Sequence, residues 1–522
     1  MEGNECSYEG CEFDVYEENN ECVLHCEKNH EYNYREPKIY EGFKEALIKH
    51  IAIQLVSERT EESYIDKETV IFILEGNEDI SSNRIQNNDV ITGSLINLSW
   101  INFPFFQSNE YIKVLNILDS IEFDFCHFDL HKLELRGTKC FFQDCTFHND
   151  WMLTNTSLLA YDSNLYKVIY RKCDFLKDVH TSVGINEQYI IDETPFSQCK
   201  ITKLLITHTF FKKMIFNDLL EFEEMENKKE IKNIQISHSK IGREFKLNNY
   251  EFNSFKCKHT VFKSNFTFNQ NNIESFEIDK VTFKGLVNFN NTEFESFQIE
   301  KSIFEKFTNF EKCEFGKKNN HYPIAEFKNT TFLDFINFRE AKFYSGLDLE
   351  NANLKEYPNF LYCHIETQYT NRETFRIIKH SFDKVGNTIE ANKYFAYEME
   401  KERENISIKK DVNKRVMLNL NYWISNFGQS WIRPLIWILG IVLLHYFIVK
   451  GTFQCISPSN FIYEPLKLLG NFFDDLANSI IPFRRFLKSD KEGMEFINLI
   501  FLIMYSTLIY NLVIAVKRIT KR

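Results

Sequence analysis

The residues best suited to chemistry in this sequence lie within its first 26 positions. Four of them follow the spacing C-x4-C-x10-C-x2-H: Cys6, Cys11, Cys22 and His25. Three thiolates and one imidazole form a complete tetrahedral ligand set for Zn²⁺, and Cys26 is a substitute fourth ligand for His25. A segment this short cannot bury a core, so a bound metal would hold it together. We predict a structural zinc site in residues 1–30; the alternative is a tail with free thiols.

No other set of residues has the types and spacing of a catalytic site. The sequence contains no glycine-rich phosphate loop, no nucleophile elbow and no H-E-x-x-H motif. Glycine supplies only 17 of 522 residues, which leaves few loops able to cradle a phosphate. We therefore predict that the protein is not an enzyme.

The amino-acid composition argues against several other classes of protein. The net charge of −12 argues against a general nucleic-acid binder. The opening residues MEGNECSYEG have neither a basic start nor an apolar run, unlike a secretory signal. Thirteen cysteines in so long a chain do not indicate a disulfide scaffold. We expect a reducing, cytosolic location for most of the chain.

The sequence contains a repeat of 21 residues, and this repeat must form the framework that positions any functional surface. Four units lie end to end at 233–253, 254–274, 275–295 and 296–316, and the pattern resumes after an insertion near 317–323. Phenylalanine, with 52 of the 522 residues, carries much of this pattern. A fixed period of this length indicates a solenoid, in which each unit buries its apolar face against its neighbours.

The steps between large apolar residues indicate a coil with four sides. In unit 275–295 the steps are 5, 6, 5 and 5, through Ile278, Phe283, Phe289, Phe294 and Ile299. Neither the helical period of 3.6 nor the strand period of 2 produces such steps. Short extended sides joined by corners do, and equivalent residues then stack one strand spacing apart, about 4.8 Å. Columns of Phe would fill the interior of the coil.

Small residues and asparagines recur beside these large residues. A small residue often stands two positions before the large one, and this alternation lets a narrow interior fill without clashes. Several cysteines occupy this position, which predicts buried thiols: Cys126, Cys140, Cys145, Cys173, Cys313 and Cys363. Asparagines that suit corners and side-chain ladders recur just before a Phe: Asn288, Asn309, Asn337 and Asn359.

Short motifs in the repeat resemble those of pentapeptide-repeat proteins. They are CTF at 145–147, TEF at 292–294, AKF at 341–343 and ANL at 352–354. The resemblance implies a mainly β fold, a right-handed quadrilateral β-helix, over 96–366, clearest over 233–366. A similar Cys/His opening precedes other bacterial proteins of this family. Residues 31–95 are expected to form a helix and an irregular lead-in.

One column of apolar residues should face outward from this β-helix. Its members stand three positions before a central Phe: Leu286, Phe307, Phe335 and Tyr357. Exposed apolar residues in a row indicate an interaction surface for a partner or for self-association. The alternative is that flanking helices cover them.

Residues 367–408 change to a helical period. Phe375, Ile378 and Phe382 recur on one helical face, Gly386 suits a left-handed C-cap, and Thr388 suits an N-cap. We predict an αα-hairpin that caps the open end of the β-helix, where strand edges would otherwise remain unpaired. A similar joint connects repeats to membrane segments in related bacterial proteins.

Residues 409–522 read as a membrane region. Apolar runs predict two transmembrane helices, near 432–450 and 496–516, with a segment at 451–494 that faces outward or re-enters the bilayer. Basic residues before the first helix and after the second predict that both chain ends are cytoplasmic. The expected location is therefore a bacterial inner membrane, crossed more than once.

Three polar residues interrupt these apolar runs: His445, Asn498 and Asn511. Polar groups in lipid indicate either the lining of a pore or hydrogen bonds between packed helices. The signature of a potassium filter is absent, so that selectivity has no support.

Three functions follow from these features. The first is a membrane-anchored, cytoplasm-facing scaffold or sensor that is not catalytic and binds a protein partner or a second copy of itself. The second is an oligomeric ion channel or pore-forming effector in stress or phage defence, gated by the β-helix. The third is a DNA mimic that modulates a topoisomerase. Units 233–316 carry 11 basic and 11 acidic residues, so the acidic face that a mimic needs is missing. The expected partners are the lipid bilayer and protein, without nucleic acid.

Overall fold

The computed structural model describes most of the chain: residues 6–8, 11–16, 20–28, 37–57, 66–75, 93–105, 110–135, 137–159, 167–181, 188–217, 231–318, 322–406, 411–450 and 495–520. The chain divides into two compact units. The first comprises Met1–Leu347 and Asn351–Glu366, and the second comprises Asp348–Glu350 and Thr367–Arg522.

The first unit is mainly β, and its strands form four sheets. One sheet contains Leu95–Ser99, Ser120–Asp124, Lys139–Gln143, Ser157–Leu158, Tyr170–Arg171 and Phe196–Ser197. The longest contains Asn102–Phe103, His127–Phe128, Thr146–Phe147, Trp151–Leu153, Asp174–Thr181, Lys200–Thr207, Ile231–Ser237, Glu251–Lys258, Asn272–Asp279, Glu293–Glu300, Glu314–Phe315, Ala325–Lys328, Lys342–Phe343, Leu347–Asp348 and His364–Ile365.

The other two sheets are built from shorter strands. One contains Tyr189–Ile191, Thr209–Phe211, Lys240–Ile241, Val261–Phe262, Thr282–Phe283, Ile303–Phe304, Thr331–Phe332 and Asn353–Leu354. The other contains Phe245–Lys246, Phe266–Thr267, Val287–Asn288, Thr308–Asn309 and Ile336–Asn337. Long stacks of short strands are compatible with a β-solenoid.

Strand pairing follows the predicted period of 21 residues. In the longest sheet, Ile278 lies opposite Cys257 on one neighbouring strand and Ile299 on the other, and both pairings are parallel. Two corners in each coil contain a residue with positive φ, at intervals of 10 or 11: Asn249, His259, Gln270, Lys280, Asn291, Lys301 and Lys312. These left-handed residues turn the chain sharply enough for each coil to return above the last.

The interior is filled by columns of phenylalanine rings, as the repeat predicts. Phe289 is fully buried and stacks on Phe310 with ring centroids 4.8 Å apart, and Phe310 stacks on Phe338 at 5.3 Å. The small positions are buried too, including the thiols of Cys145 and Cys313. A ring separation so close to the strand spacing lets one residue type repeat in each coil without strain.

The predicted asparagine ladder is present at one corner. Asn309 Nδ2 donates to Asn288 Oδ1 at 3.0 Å, Asn337 Nδ2 to Asn309 Oδ1 at 2.9 Å, and Asn359 Nδ2 to Asn337 Oδ1 at 3.0 Å. Each amide therefore donates to one coil and accepts from the next, which pins the register between coils.

Eight helices lie in the described residues. The first unit contains α1 (Pro37–Ser57), α2 (Lys67–Leu74) and α3 (Glu110–Leu115). The second unit contains α4 (Arg372–Lys384), α5 (Thr388–Asn405), α6 (Val412–Ser425), α7 (Ile432–Lys450) and α8 (Glu495–Thr520).

Helices α4 and α5 form the predicted pair around Gly386, whose φ of 76° is left-handed. The side chain of Asn371 caps α4 by accepting from the N–H of Thr374. Asn387 caps α5, one residue earlier than the Thr388 that the sequence favoured, because its side chain accepts from the N–H of Glu390. Buried Glu398 joins the two helices through an ion pair with Arg376 at 3.0 Å.

The prediction of two transmembrane helices is wrong for the first one. Among the described residues, one helix is long and apolar enough to cross a membrane, at Phe496–Arg518 within α8. Within the described part of the chain, the apolar stretch of α7, Ile432–His445, falls short of the length needed to cross. The predicted segment at 451–494 lies outside the described residues.

The stacked columns generate a stability prediction. Phe310→Ala should lower the free energy of unfolding by about 3–5 kcal/mol, because it removes a fully buried ring between two stacked neighbours. Thermal unfolding of the detergent-solubilised chain, followed by circular dichroism, measures the change.

Phe307→Ala is the matched control, since Phe307 is only half-buried and lies three residues away. It should cost no more than about 1 kcal/mol. Equal losses for the two variants would contradict the interior placement of Phe310.

Candidate functional site

Two tight turns present the cysteines and the histidine of the N-terminal segment. The first turn is closed by Cys11 N–H donating to Tyr8 O at 3.1 Å. The second is closed by His25 N–H donating to Cys22 O at 3.1 Å. Antiparallel bridging of Val15 with Cys22 brings the two turns together. The four residues of the C-x4-C-x10-C-x2-H motif thus lie in or next to two ligand turns, which the Val15–Cys22 bridge holds together.

The four predicted ligands meet at one point. Their ligand atoms all lie within 4.8 Å of one another: Cys6, Cys11, Cys22 and His25. His25 Nδ1 is 3.4 Å from Cys6 Sγ and 3.3 Å from Cys22 Sγ, and Cys11 Sγ is 3.7 Å from Cys22 Sγ. A tetrahedron with Zn–S bonds of about 2.3 Å has edges of about 3.7 Å. The group has the donor set and the dimensions to hold a metal ion.

Cys26 stands outside this group. It is buried, and its Sγ donates to Val23 O at 3.9 Å. The turn after Cys22 directs the imidazole of His25 toward the other thiols. Of the two candidate fourth ligands, the structure therefore selects His25.

Burial sets the protonation of the ligands before any metal binds. It raises the pKa of Cys22 to about 12 and also raises that of Cys11, because a thiolate is poorly solvated there. It lowers the pKa of His25 to about 4, so the imidazole is neutral and ready to ligate. Metal binding must displace thiol protons, so affinity for a metal should fall with falling pH.

Lys28, which the sequence did not single out, ties this segment to the first coil. Its ammonium donates to Leu24 O at 3.3 Å, Cys26 O at 3.1 Å and Asn102 O at 3.1 Å. Burial lowers its pKa to about 8. Asn102 N–H also donates to Leu24 O at 2.9 Å. No local pattern marks such a lysine, because its role depends on carbonyls distant in sequence.

The predicted apolar column runs along the first unit, and each coil contributes one residue to it. Backbone bonds link the coils beside its first three members: Val287 N–H, next to Leu286, donates to Phe307 O, and Thr308 N–H donates to Phe335 O. Leu286 and Tyr357 are each 49% exposed, whereas Phe307 and Phe335 are half-buried and stack on each other at 6.1 Å. The two end members therefore remain accessible to solvent.

The three polar residues of the C-terminal region differ in their surroundings. His445 Nε2 and Asn498 Oδ1 lie 3.1 Å apart and join α7 to α8. Asn511 Nδ2 donates to Thr507 O of its own helix at 2.8 Å. The first two residues are brought together, and the third is not part of their contact.

No protein-family model matches this chain, and no curated protein or solved structure is significantly similar to it. Inferences about function therefore rest on the residues and contacts described above.

The cluster geometry generates a metal-binding prediction. Cys22→Ser should abolish stoichiometric zinc in protein purified without chelator, because Cys22 Sγ contacts both Cys11 Sγ and His25 Nδ1. Elemental mass spectrometry of the purified chain measures the zinc content.

Cys26→Ser is the matched control, a buried thiol of the same turn outside the group. It should retain full zinc. Loss of zinc in both variants, or in neither, would contradict the assignment of ligands.

Proposed function

We propose that the protein is a membrane-anchored, non-catalytic scaffold or sensor whose repeat unit docks a protein partner. The repeat would be a right-handed quadrilateral β-helix of the pentapeptide-repeat type. The observation that carries the proposal is the column of Leu286, Phe307, Phe335 and Tyr357 on successive coils.

The ordered backbone beneath this column lowers the entropic cost of docking. Parallel pairing fixes each coil on the next, as where Thr308 lies opposite Ile336. A partner would meet side chains whose backbone is already ordered, so little conformational entropy is lost on binding. Stacking of Phe307 on Phe335 with 12° between ring planes adds a flat apolar area that a partner can cover.

The metal of the N-terminal cluster is proposed to be Zn²⁺ in a structural role. Three thiols and an imidazole whose ligand atoms all lie within 4.8 Å of one another suit its small tetrahedral shell. Bound there, the ion would lock the two ligand turns beside the strand at Asn102–Phe103. It would thereby cover the first coil of the stack, whose strand edge is otherwise open to pairing.

Helix α8 is the proposed membrane anchor. An 18-residue stretch within its span Phe496–Arg518 has a mean hydropathy of 2.2, and large apolar side chains such as Ile503 and Val513 are 59% and 57% exposed. Free cysteines throughout the first unit favour a cytoplasmic, bacterial inner-membrane location for that unit. If α8 alone crosses, the two chain ends lie on opposite sides. Cytoplasmic placement of both ends would require α7 to cross as well.

The alternative of an oligomeric channel or pore-forming effector has less support. A pore needs polar side chains that face a lumen, whereas His445 and Asn498 lie within hydrogen-bond distance of each other. Conductance of the reconstituted chain in planar bilayers would reverse this preference. The minor alternative, a DNA mimic, lacks an acidic repeat face, because units 233–316 are neutral overall.

The docking proposal predicts position-dependent cross-linking in cells. A photo-crosslinking amino acid at Phe335 should yield discrete adducts with a partner or a second copy, and Phe307→Glu should abolish them by placing a charge in the apolar column. Gel shifts and mass spectrometry of the adducts measure the result.

The same crosslinker at Tyr362 is the control, since that residue is 72% exposed and outside the column. Equal adducts at both positions, or none at Phe335, would argue against docking on the column.

The anchor proposal predicts that truncation after residue 494 releases the chain from membranes. Removing Glu495–Thr520 deletes the one described helix long enough to span the bilayer. Ultracentrifugation of cell lysates should find the truncated chain in the soluble fraction and the full chain in the membrane fraction. Persistence in the membrane fraction after carbonate extraction would point to α7 as a second anchor.

A further inference from the structure

A cleft opens beside the Cys/His cluster and shares two of its residues. Its volume is about 720 Å³, and its walls come from the N-terminal segment, α1 and the first strand. Cys11 and His25 form part of one wall, while His50 and Gln54 of α1 form another. This volume falls within the range of about 300–1,000 Å³ that is typical of small-molecule sites.

Aromatic side chains dominate the walls of this cleft. Tyr8, Phe13 and Trp100 line it, and the ring centroids of Tyr8 and Trp100 are 5.9 Å apart. Trp100 is 44% exposed and is held from behind by Phe125, which stacks on it at 4.5 Å with 6° between ring planes. A tryptophan so oriented offers the strongest aromatic surface for a cation.

The cleft has no basic side chain other than histidine among its described lining residues, and Glu12 adds a carboxylate. Burial lowers the pKa of His50, so this imidazole is neutral near pH 7. The nearby ammonium of Lys28 does not line the cleft and donates to three carbonyls. The walls therefore carry negative charge and aromatic faces.

The described part of the N-terminal segment adds to this negative field. Residues 6–8, 11–16 and 20–28 contain four acidic residues and one basic residue. Such a field concentrates cations at the cleft.

We propose that this cleft is a binding site for a small, soluble alkylated ammonium compound. An alkylated ammonium is favoured over a free amine or a metal ion, because aromatic faces attract its charge without supplying the hydrogen bonds that a strongly hydrated cation loses. Trp100 and Tyr8 would receive the alkyl groups, and Glu12 would neutralise the charge at the rim. The ligand would make the N-terminal segment the sensing part of the scaffold.

Choline is a suitable probe, tested by calorimetry on the zinc-loaded full chain in a maltoside detergent. Choline should bind. Its uncharged isostere, in which carbon replaces nitrogen, should bind roughly 3- to 30-fold more weakly. Trp100→Ala should weaken choline binding by a similar factor. Equal affinity for the two compounds, or no binding of choline, would overturn the proposal.

Glu12→Gln tests ligand binding without disturbing the fold, because Glu12 is exposed and its replacement leaves the ligand turns intact. It should weaken choline binding, whereas Asp14→Asn, the same charge change on an exposed residue outside the cleft lining, should have a smaller effect. Equal effects would overturn the assignment of Glu12. Zinc content, measured for each variant, distinguishes loss of the cleft ligand from failure of the metal cluster.

Discussion

Aromatic rings stacked at the spacing of parallel strands are the interaction on which the rest of the first unit depends. Phe283 stacks on Phe304 at 4.7 Å, and Phe315 stacks on Phe343 at 4.5 Å with 3° between ring planes. Strands lie about 4.8 Å apart, and offset aromatic pairs prefer a similar separation. Backbone pairing and side-chain packing therefore favour the same period, and each coil must repeat its Phe positions.

The need to stack rings restricts the residue types at interior positions but not at outward ones. Inward positions must be large and apolar or small, which leaves outward positions free to vary, as where Leu286 and Tyr357 occupy one outer column. No coil precedes the first strands among the described residues, and there the Cys/His segment is attached through Lys28 and Asn102. Candidate chemistry thus lies where the repeat ends or faces water, since packing does not dictate the residue there.

Much of the architecture follows from local patterns, and the exceptions have physical causes. The period, the Phe columns and the ligand group were predictable, because inward spacing and ligand spacing are properties of adjacent residues. The choice of His25 over Cys26 was not, because the backbone of the turn decides which of the two side chains reaches Cys6. Of the two predicted transmembrane helices the structure supports only the second, because the described apolar stretch of α7, Ile432–His445, is too short to cross.

The sequence by itself determined the coil of 21 residues, the buried faces and the cysteines of the candidate metal group, since each depends on spacing along the chain. Tertiary structure alone decided which surfaces meet. It placed Trp100 against Phe125 and opened a cleft between Tyr8, His50 and Trp100, residues that no local pattern connects. The physical reason is that a cleft is made by distant segments packing together, and its shape and field exist only after the backbone has closed around it.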